Sequence, residues 1–179
     1  RILHWMGTPE NALDLAEARL AEFGERVRLY HAAYHELTQV LAEDGTSAVD
    51  AICLDLGLSS LQIDSAERGF AYATDAPLDM RMDTDQELTA ADLVNTAPAA
   101  QLARWLREYG DEQFADRIAR RIVAVRTERP IRTSADLVAI VTDAIPAAAR
   151  HARSGHPAKR TFQALRIAVN GELESLAGV

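Results

Sequence analysis

Asp55 is the position best placed for chemistry, closing the apolar run VDAICLDL (49–56) just before the small-residue turn Gly57-Leu58-Ser59-Ser60. Parallel α/β sheets bind ligands outside the carboxyl ends of their strands, so a carboxylate there faces a ligand crevice. The residues alone support equally well an Asp that only caps the following turn. Downstream, Arg68-Gly69-Phe70-Ala71-Tyr72 sets two aromatics and an arginine around a glycine, a set that can stack on an extruded base. Pro77-Leu78-Asp79-Met80-Arg81-Met82-Asp83 alternates charges with thioethers. Read locally, it favours a loop sealed by its own pairs among Asp79, Arg81 and Asp83.

Two basic groups can meet phosphates. A helix over 111–128 places Arg117, Arg120 and Arg121 opposite Phe114, Ile118, Ile122 and Val125, although an ordinary solvated face explains those arginines equally well. Arg150, His151, Arg153, His156, Lys159 and Arg160 form the better candidate, because the spacing predicts a Gly/Pro-broken connection there. His31 and His35 stand at i,i+4 without a third ligand at metal-site spacing, so a structural or surface role is expected and no metal centre. Cys53, the one cysteine, excludes an internal disulfide or multi-thiolate site and reads as an inert core thiol. No Walker A loop, nucleophile elbow or GxGxxG occurs.

The elements that must hold these groups alternate strand and helix at first. Arg1–Trp5 reads as a strand end, Pro9–Phe23 as a helix closed by Gly24, Val27–Tyr30 as a second strand, His35–Leu41 as a short helix, and Val49–Leu56 as a third strand buried on both faces. That order implies a parallel sheet, incomplete within these residues. Residues 57–85 show no sustained period, as a functional loop would. From Thr89 the pattern is helical, over 90–96, 98–109, 111–128, 134–145 and 157–177. Ser134 can cap the fourth of these, whose stripe is Leu137, Val138, Val141 and Ile145.

The 179 residues suffice for a substantial core, and 48% hydrophobic with 26% charged residues excludes a disordered chain. No apolar run approaches the ~18 to 20 residues of a membrane span and no leader is evident, so a cytoplasmic location without membrane contact is expected. Net charge −8 argues against coating nucleic acid by bulk electrostatics, yet residues 1–103 carry −12 and residues 104–179 carry +4. A local basic surface therefore remains open.

Together, DLGLSSLQID (55–64), AERGFAY (66–72), APLDMRMD (76–83), REYGDEQFADRIARRIV (107–123) and HPAKRTFQALRIAVNGELE (156–174) resemble the bacterial 16S ribosomal RNA cytidine-N4 methyltransferase family (RsmH, also called MraW). Five motifs in order, spanning about residues 10–176, make the resemblance specific. It implies an α/β fold: a Rossmann-like S-adenosylmethionine-dependent methyltransferase domain, incomplete in this chain, with an inserted all-helical domain. The expected division is 1–88 for the methyltransferase part with its substrate loop, 89–155 for the helical recognition domain, and 156–179 for a helix returning to the core.

The resemblance further implies S-adenosyl-L-methionine as cofactor, contacted by Tyr34, Asp55 and Gln62, with Asp55 also the catalytic candidate. Arg68, Phe70, Tyr72, Asp79, Arg81, Lys159 and Arg160 become substrate-binding candidates, the aromatics for an extruded base and the cations for phosphates. The implied partner is 16S rRNA in the small ribosomal subunit, with a homodimer left open. Where the family carries an acidic residue for the adenosine ribose, this sequence has Met6, whose thioether cannot accept two hydroxyl hydrogen bonds. The family's glycine-rich segment and its last strands lie outside these 179 residues, so this stretch alone is expected to bind the cofactor weakly. The alternative is a non-catalytic RNA- or ribosome-binding module with a degenerate α/β half.

Overall fold

A computed structural model describes residues 2–4, 11–54, 57, 68–152 and 155–177, with the backbone alone described at 2–4, 11, 12, 34, 151 and 152. Asp55, Gln62, Met6 and Arg153 lie outside the described residues. The chain divides into two compact units, one of residues 1–58 with 171–179, the other of residues 59–170.

In the first unit, β1 (Ile2–His4) and β2 (Val27–Leu29) pair in parallel, with Ile2 opposite Val27 and His4 opposite Leu29. Between them runs α1 (Asn11–Leu20), giving the expected βαβ crossover. This helix is shorter than its apolar period suggests, because residues 21–26 tighten into a 3-10 turn broken at Gly24. After β2, a 3-10 turn over Tyr34–Glu36 leads into α2 (Leu37–Glu43).

Asp44, at the end of α2, accepts hydrogen bonds from Thr46 Oγ1 at 2.5 Å, Tyr30 Oη at 2.8 Å and the Arg28 guanidinium, tying the helix end to β2. The Thr46 bond above all, then those of Tyr30 and Arg28, holds this carboxyl well below the usual carboxylate range.

The third strand does not form over the described residues of 49–56. Residues 51–54 have neither helical nor strand pairing, and Val49, Ile52 and Leu54 are exposed. Cys53 is likewise exposed, which corrects its reading as a core thiol. An apolar run reports a preference for burial, whereas a strand needs a neighbour to satisfy its N–H and C=O groups. None is paired with it among the described residues.

The second unit is built on α3 (Ala90–Thr96), α4 (Ala99–Glu108), α5 (Ala115–Glu128), α6 (Ser134–Ala144), α7 (Ala147–Ala152) and α8 (Lys159–Asn170). Helix α5 packs on α3, α4 and α6, and α8 packs on α3 and α4. Leu102, Leu106, Ile118, Ile122, Leu137, Val141 and Leu165 are buried between them, each contributing about 1.5 to 3 kcal/mol of transfer free energy. Ile118 and Ile122 are one helical turn apart, so their burial turns Arg117, Arg120 and Arg121 outward, as the period predicts. On α6, Ile140 joins the buried stripe and Val138 is only half-buried.

Local interactions shift several boundaries. Helix α5 starts at Ala115, because Asp111 adopts φ +48° and buried Glu112 accepts the Phe114 N–H at 2.8 Å. Thr133, and not Ser134, caps α6: its Oγ1 accepts the Asp136 N–H at 3.2 Å in a capping box. Arg150 and His151 belong to α7 rather than to an irregular connection. The long C-terminal helix breaks at Gly171, and α9 (Glu172–Ala177) belongs to the first unit, where it packs on the 3-10 turn over Tyr34–Glu36. At Gly110 the end of α4 meets the start of α8 so closely that a Cβ there would lie 2.5 Å from the Arg160 carbonyl oxygen.

The compact unit 59–170 groups loop 68–88 and α8 with the intervening helices. Among the described residues, no helix is long and apolar enough to cross a membrane.

Candidate functional site

Three helix ends hold loop 68–88. At α6, the Ser134 hydroxyl donates to the Thr74 carbonyl at 2.7 Å and accepts the Ala76 N–H at 3.0 Å. The Ser134 and Leu78 N–H groups donate to the Ala76 and Arg132 carbonyls, forming an antiparallel bridge between Pro77 and Thr133. At α3, the Ala90 and Ala91 N–H groups, unpaired within their own helix, donate to the Asp79 and Leu78 carbonyls at 2.7 Å each.

At the end of α8, Asn170 Oδ1 accepts the Met82 N–H at 2.6 Å while Nδ2 donates to the Met80 carbonyl at 2.7 Å. This clamp grips the loop at Met80 and Met82; Met80 is fully buried at φ +61°, a left-handed conformation costly for a residue with a Cβ. The loop is therefore over-determined by its surroundings.

Within this frame Asp79 and Arg81 bind each other. Arg81 Nε donates to Asp79 Oδ1 at 2.8 Å and Nη2 to Oδ2 at 2.7 Å, while Nη1 donates to the carbonyls of Gln86 at 2.7 Å and Thr84 at 3.0 Å. Partial burial opposes ionisation of Asp79, but the Arg81 side-chain and backbone hydrogen bonds outweigh it and hold the carboxyl below its usual range. Arg68 turns to the same loop, its Nη2 donating to the Arg81 and Met82 carbonyls at 2.9 and 2.8 Å. Asp83 does not join the ion pair and instead turns its carboxylate to the Asp85 N–H. Both guanidinium groups thus face the loop backbone.

A double-mutant cycle tests this placement. Both side chains of the pair are 21% exposed, so solvent screening reduces the coupling expected for a dry bidentate pair to about 1 to 2 kcal/mol. Arg81→Ala and Asp79→Ala should each destabilise the unit, and the double variant should lose less than their sum. Because the folded carboxyl titrates below its unfolded value near pH 4, the coupling should be complete above that pH and fade as pH falls through the depressed folded value. Additive losses in denaturant titrations would refute the coupling.

Tyr72 is the member of the aromatic segment that stays accessible. Its half-buried ring stacks on His156 at 4.5 Å between centroids and 10° between planes, and meets Phe162 edge-on at 6.0 Å. His156 Nδ1 accepts the Ala158 N–H at 3.2 Å, which orients the imidazole at the turn entering α8. Phe70 is 8% exposed and belongs to the core, which separates it from Tyr72 as a stacking surface. Lys159 is exposed in the first turn of α8, and Arg160 leans on the Asp111 carbonyl and carboxylate.

The fold thus joins Tyr72 to the 156–160 segment and leaves Arg68, Asp79 and Arg81 as loop scaffold. Sequence reasoning missed His156 as an aromatic partner and Asn170 as a clamp. Both sit in the last motif, but only the folded chain shows what they touch.

For the cofactor, the described residues offer the backbone position of Tyr34. It lies in the turn after the carboxyl end of β2, where parallel α/β units bind ligands. Glu36 fastens that turn by accepting the Ala33 N–H. His31 and His35 are exposed, and the described residues contain no group of three or more His, Cys, Asp or Glu able to hold a metal ion.

Comparison with known proteins matches residues 3–179 to the MraW methylase family. Ribosomal RNA small subunit methyltransferase H of Cutibacterium acnes is 57% identical over 170 residues, covering 95% of this chain and 50% of that protein. The proteins of the same name from Mycolicibacterium smegmatis and Mycobacterium tuberculosis are 56% and 60% identical, over 93% and 92% of this chain and 44% and 42% of their own lengths. The chain spans about half the length of these relatives. With 177 of its 179 residues inside the family match, the chain belongs to the MraW methylase family.

Proposed function

We propose that this protein uses S-adenosyl-L-methionine to methylate the exocyclic N4 of a cytidine in the decoding centre of 16S rRNA. Its family membership across residues 3–179 carries this reading. The finer architecture proposed with it is a Rossmann-like methyltransferase domain with an inserted helical recognition domain. A ribosomal substrate places the work in the cytoplasm.

The position of Tyr34 after β2 fits the cofactor, with Tyr34, Asp55 and Gln62 as its contacts. When bound, S-adenosylmethionine supplies an electrophilic methyl group on a sulfonium. The protein's task is to present a weak nucleophile, because the lone pair of cytosine N4 is delocalised into the ring.

Asp55 accepts a hydrogen bond from the N4 amine and orients it, which favours pyramidalisation of the nitrogen. Tyr72, backed by His156, stacks on the extruded base and Lys159 takes an adjacent phosphate. Arg68, Asp79 and Arg81 keep the loop that carries Tyr72 in shape.

The test uses a polypeptide extended to the length of its relatives, incubated with cofactor and small ribosomal subunits lacking the modification. Nucleoside mass spectrometry with primer extension should find N4-methylcytidine at one decoding-centre position. Methylation elsewhere would reject the assigned target. Tight RNA binding without methyl transfer would instead support the non-catalytic module.

A further inference from the structure

We propose that the arginine face of α5, with the groove it forms against α6, is a second RNA contact that holds backbone phosphates away from the nucleotide being modified. This rests on the reading of an RNA substrate and adds to it a surface separate from the Tyr72–His156 pair.

Arg117, Arg120 and Arg121 stand at i, i+3 and i+4 on α5, so their side chains are neighbours about 5 to 6 Å apart on one face. All three are exposed, and the burial of Ile118 and Ile122 on the opposite side prevents the helix from turning them inward.

Few of their donors are used. Among the described residues, Arg117 has no carboxylate partner and Arg120 bonds only through Nε, to the Asp116 carbonyl at 3.1 Å. The Asp116 carboxylate is already taken by Arg107 at 2.6 Å. Arg121 meets Asp143 at 2.8 Å, but both side chains are largely in solvent, so a phosphate can displace that pair at little cost. The three arginines line an open groove with Ala124, Asp143 and Ala144.

The groove's chemistry selects the partner. Protein interfaces are anchored by aromatic or aliphatic side chains entering desolvated pockets, and this groove offers no apolar group larger than alanine. A phosphate backbone needs only planar guanidinium donors and room to approach, which the two alanines leave. The acidic balance of the whole chain does not oppose this, since residues 104–179 carry +4.

The test compares the wild type with the Arg117→Gln/Arg120→Gln/Arg121→Gln and Arg117→Lys/Arg120→Lys/Arg121→Lys triple variants, in the polypeptide extended to the length of its relatives. Affinity for naked 16S rRNA and for small subunits is measured across a KCl series. Neutralisation should weaken RNA binding about tenfold or more near 0.1 M salt and reduce the slope of log K against log salt by about 2. The lysine variant should keep the wild-type slope, and methylation of a short cytidine-containing oligonucleotide should continue at the wild-type kcat in both.

An unchanged slope on neutralisation overturns the proposal. So does equal loss in the lysine variant with a lowered melting temperature, which marks a structural role. Loss confined to assembled subunits, with naked RNA unaffected, overturns it in favour of an acidic protein partner. A reduced slope in a protein that never methylates 16S rRNA supports this contact while rejecting the proposed activity.

Discussion

Gly69→Ala is expected to destabilise the helical unit by about 3 kcal/mol, a fall of roughly 10 to 20 °C in melting temperature for a unit of this size. Gly69 adopts φ +66°, and a Cβ there would lie 2.1 Å from the Pro77 carbonyl oxygen and 3.0 Å from the Asp79 amide nitrogen. Both obstacles are backbone, and that backbone is pinned to α3 and α6 by hydrogen bonds at Leu78, Asp79 and Ala76. The loop cannot yield without breaking several of them, so steric strain adds to the 1 to 3 kcal/mol of a left-handed non-glycine residue.

Gly155→Ala is the matched control. Its φ is +89°, but a Cβ would meet nothing within 4 Å, so only the conformational cost should appear. Denaturant titrations of the two variants decide the matter: equal losses would refute the close approach at Gly69. Because Tyr72 lies three residues on, Gly69→Ala in the extended polypeptide should also reduce the proposed RNA methylation beyond its effect on the folded fraction.

In the polypeptide extended to the length of its relatives, Asp55→Asn is expected to have the largest effect on the proposed methyl transfer, lowering turnover about 100-fold or more. A carboxylate accepts hydrogen bonds from the cytosine amine with full negative charge, and that charge favours the positive nitrogen forming in the transition state. An amide oxygen keeps the shape and loses the charge, while the amide NH2 offers a donor where an acceptor is required. Affinity for 16S rRNA, proposed to rest on Tyr72, Lys159 and the α5 arginines, should change little. Steady-state kinetics with calorimetry for the cofactor separates the outcomes. If turnover and cofactor affinity both survive the substitution, Asp55 holds neither role.

Features that depend on neighbours a few residues away were legible in the amino-acid order. The β1–α1–β2 crossover, the burial of Ile118 and Ile122 with Arg117, Arg120 and Arg121 facing out, and the self-paired Asp79 and Arg81 all follow from short-range spacing and charge. The motifs likewise sufficed to recognise the family. Failures came where the outcome depends on distant partners. VDAICLDL has the composition of a buried strand, yet residues 51–54 find no ladder, since pairing depends on a second segment and apolar content does not supply one.

The placement of Tyr72 on His156 spans 84 residues and that of Asn170 on Met80 spans 90, separations across which no local period carries information. Chain order therefore settled which faces turn toward an interior and which side chains are available for chemistry. The folded chain alone decided which of those side chains are consumed by scaffold hydrogen bonds and which remain open to a ligand, because a donor's partner is set by where the backbone of another segment comes to rest.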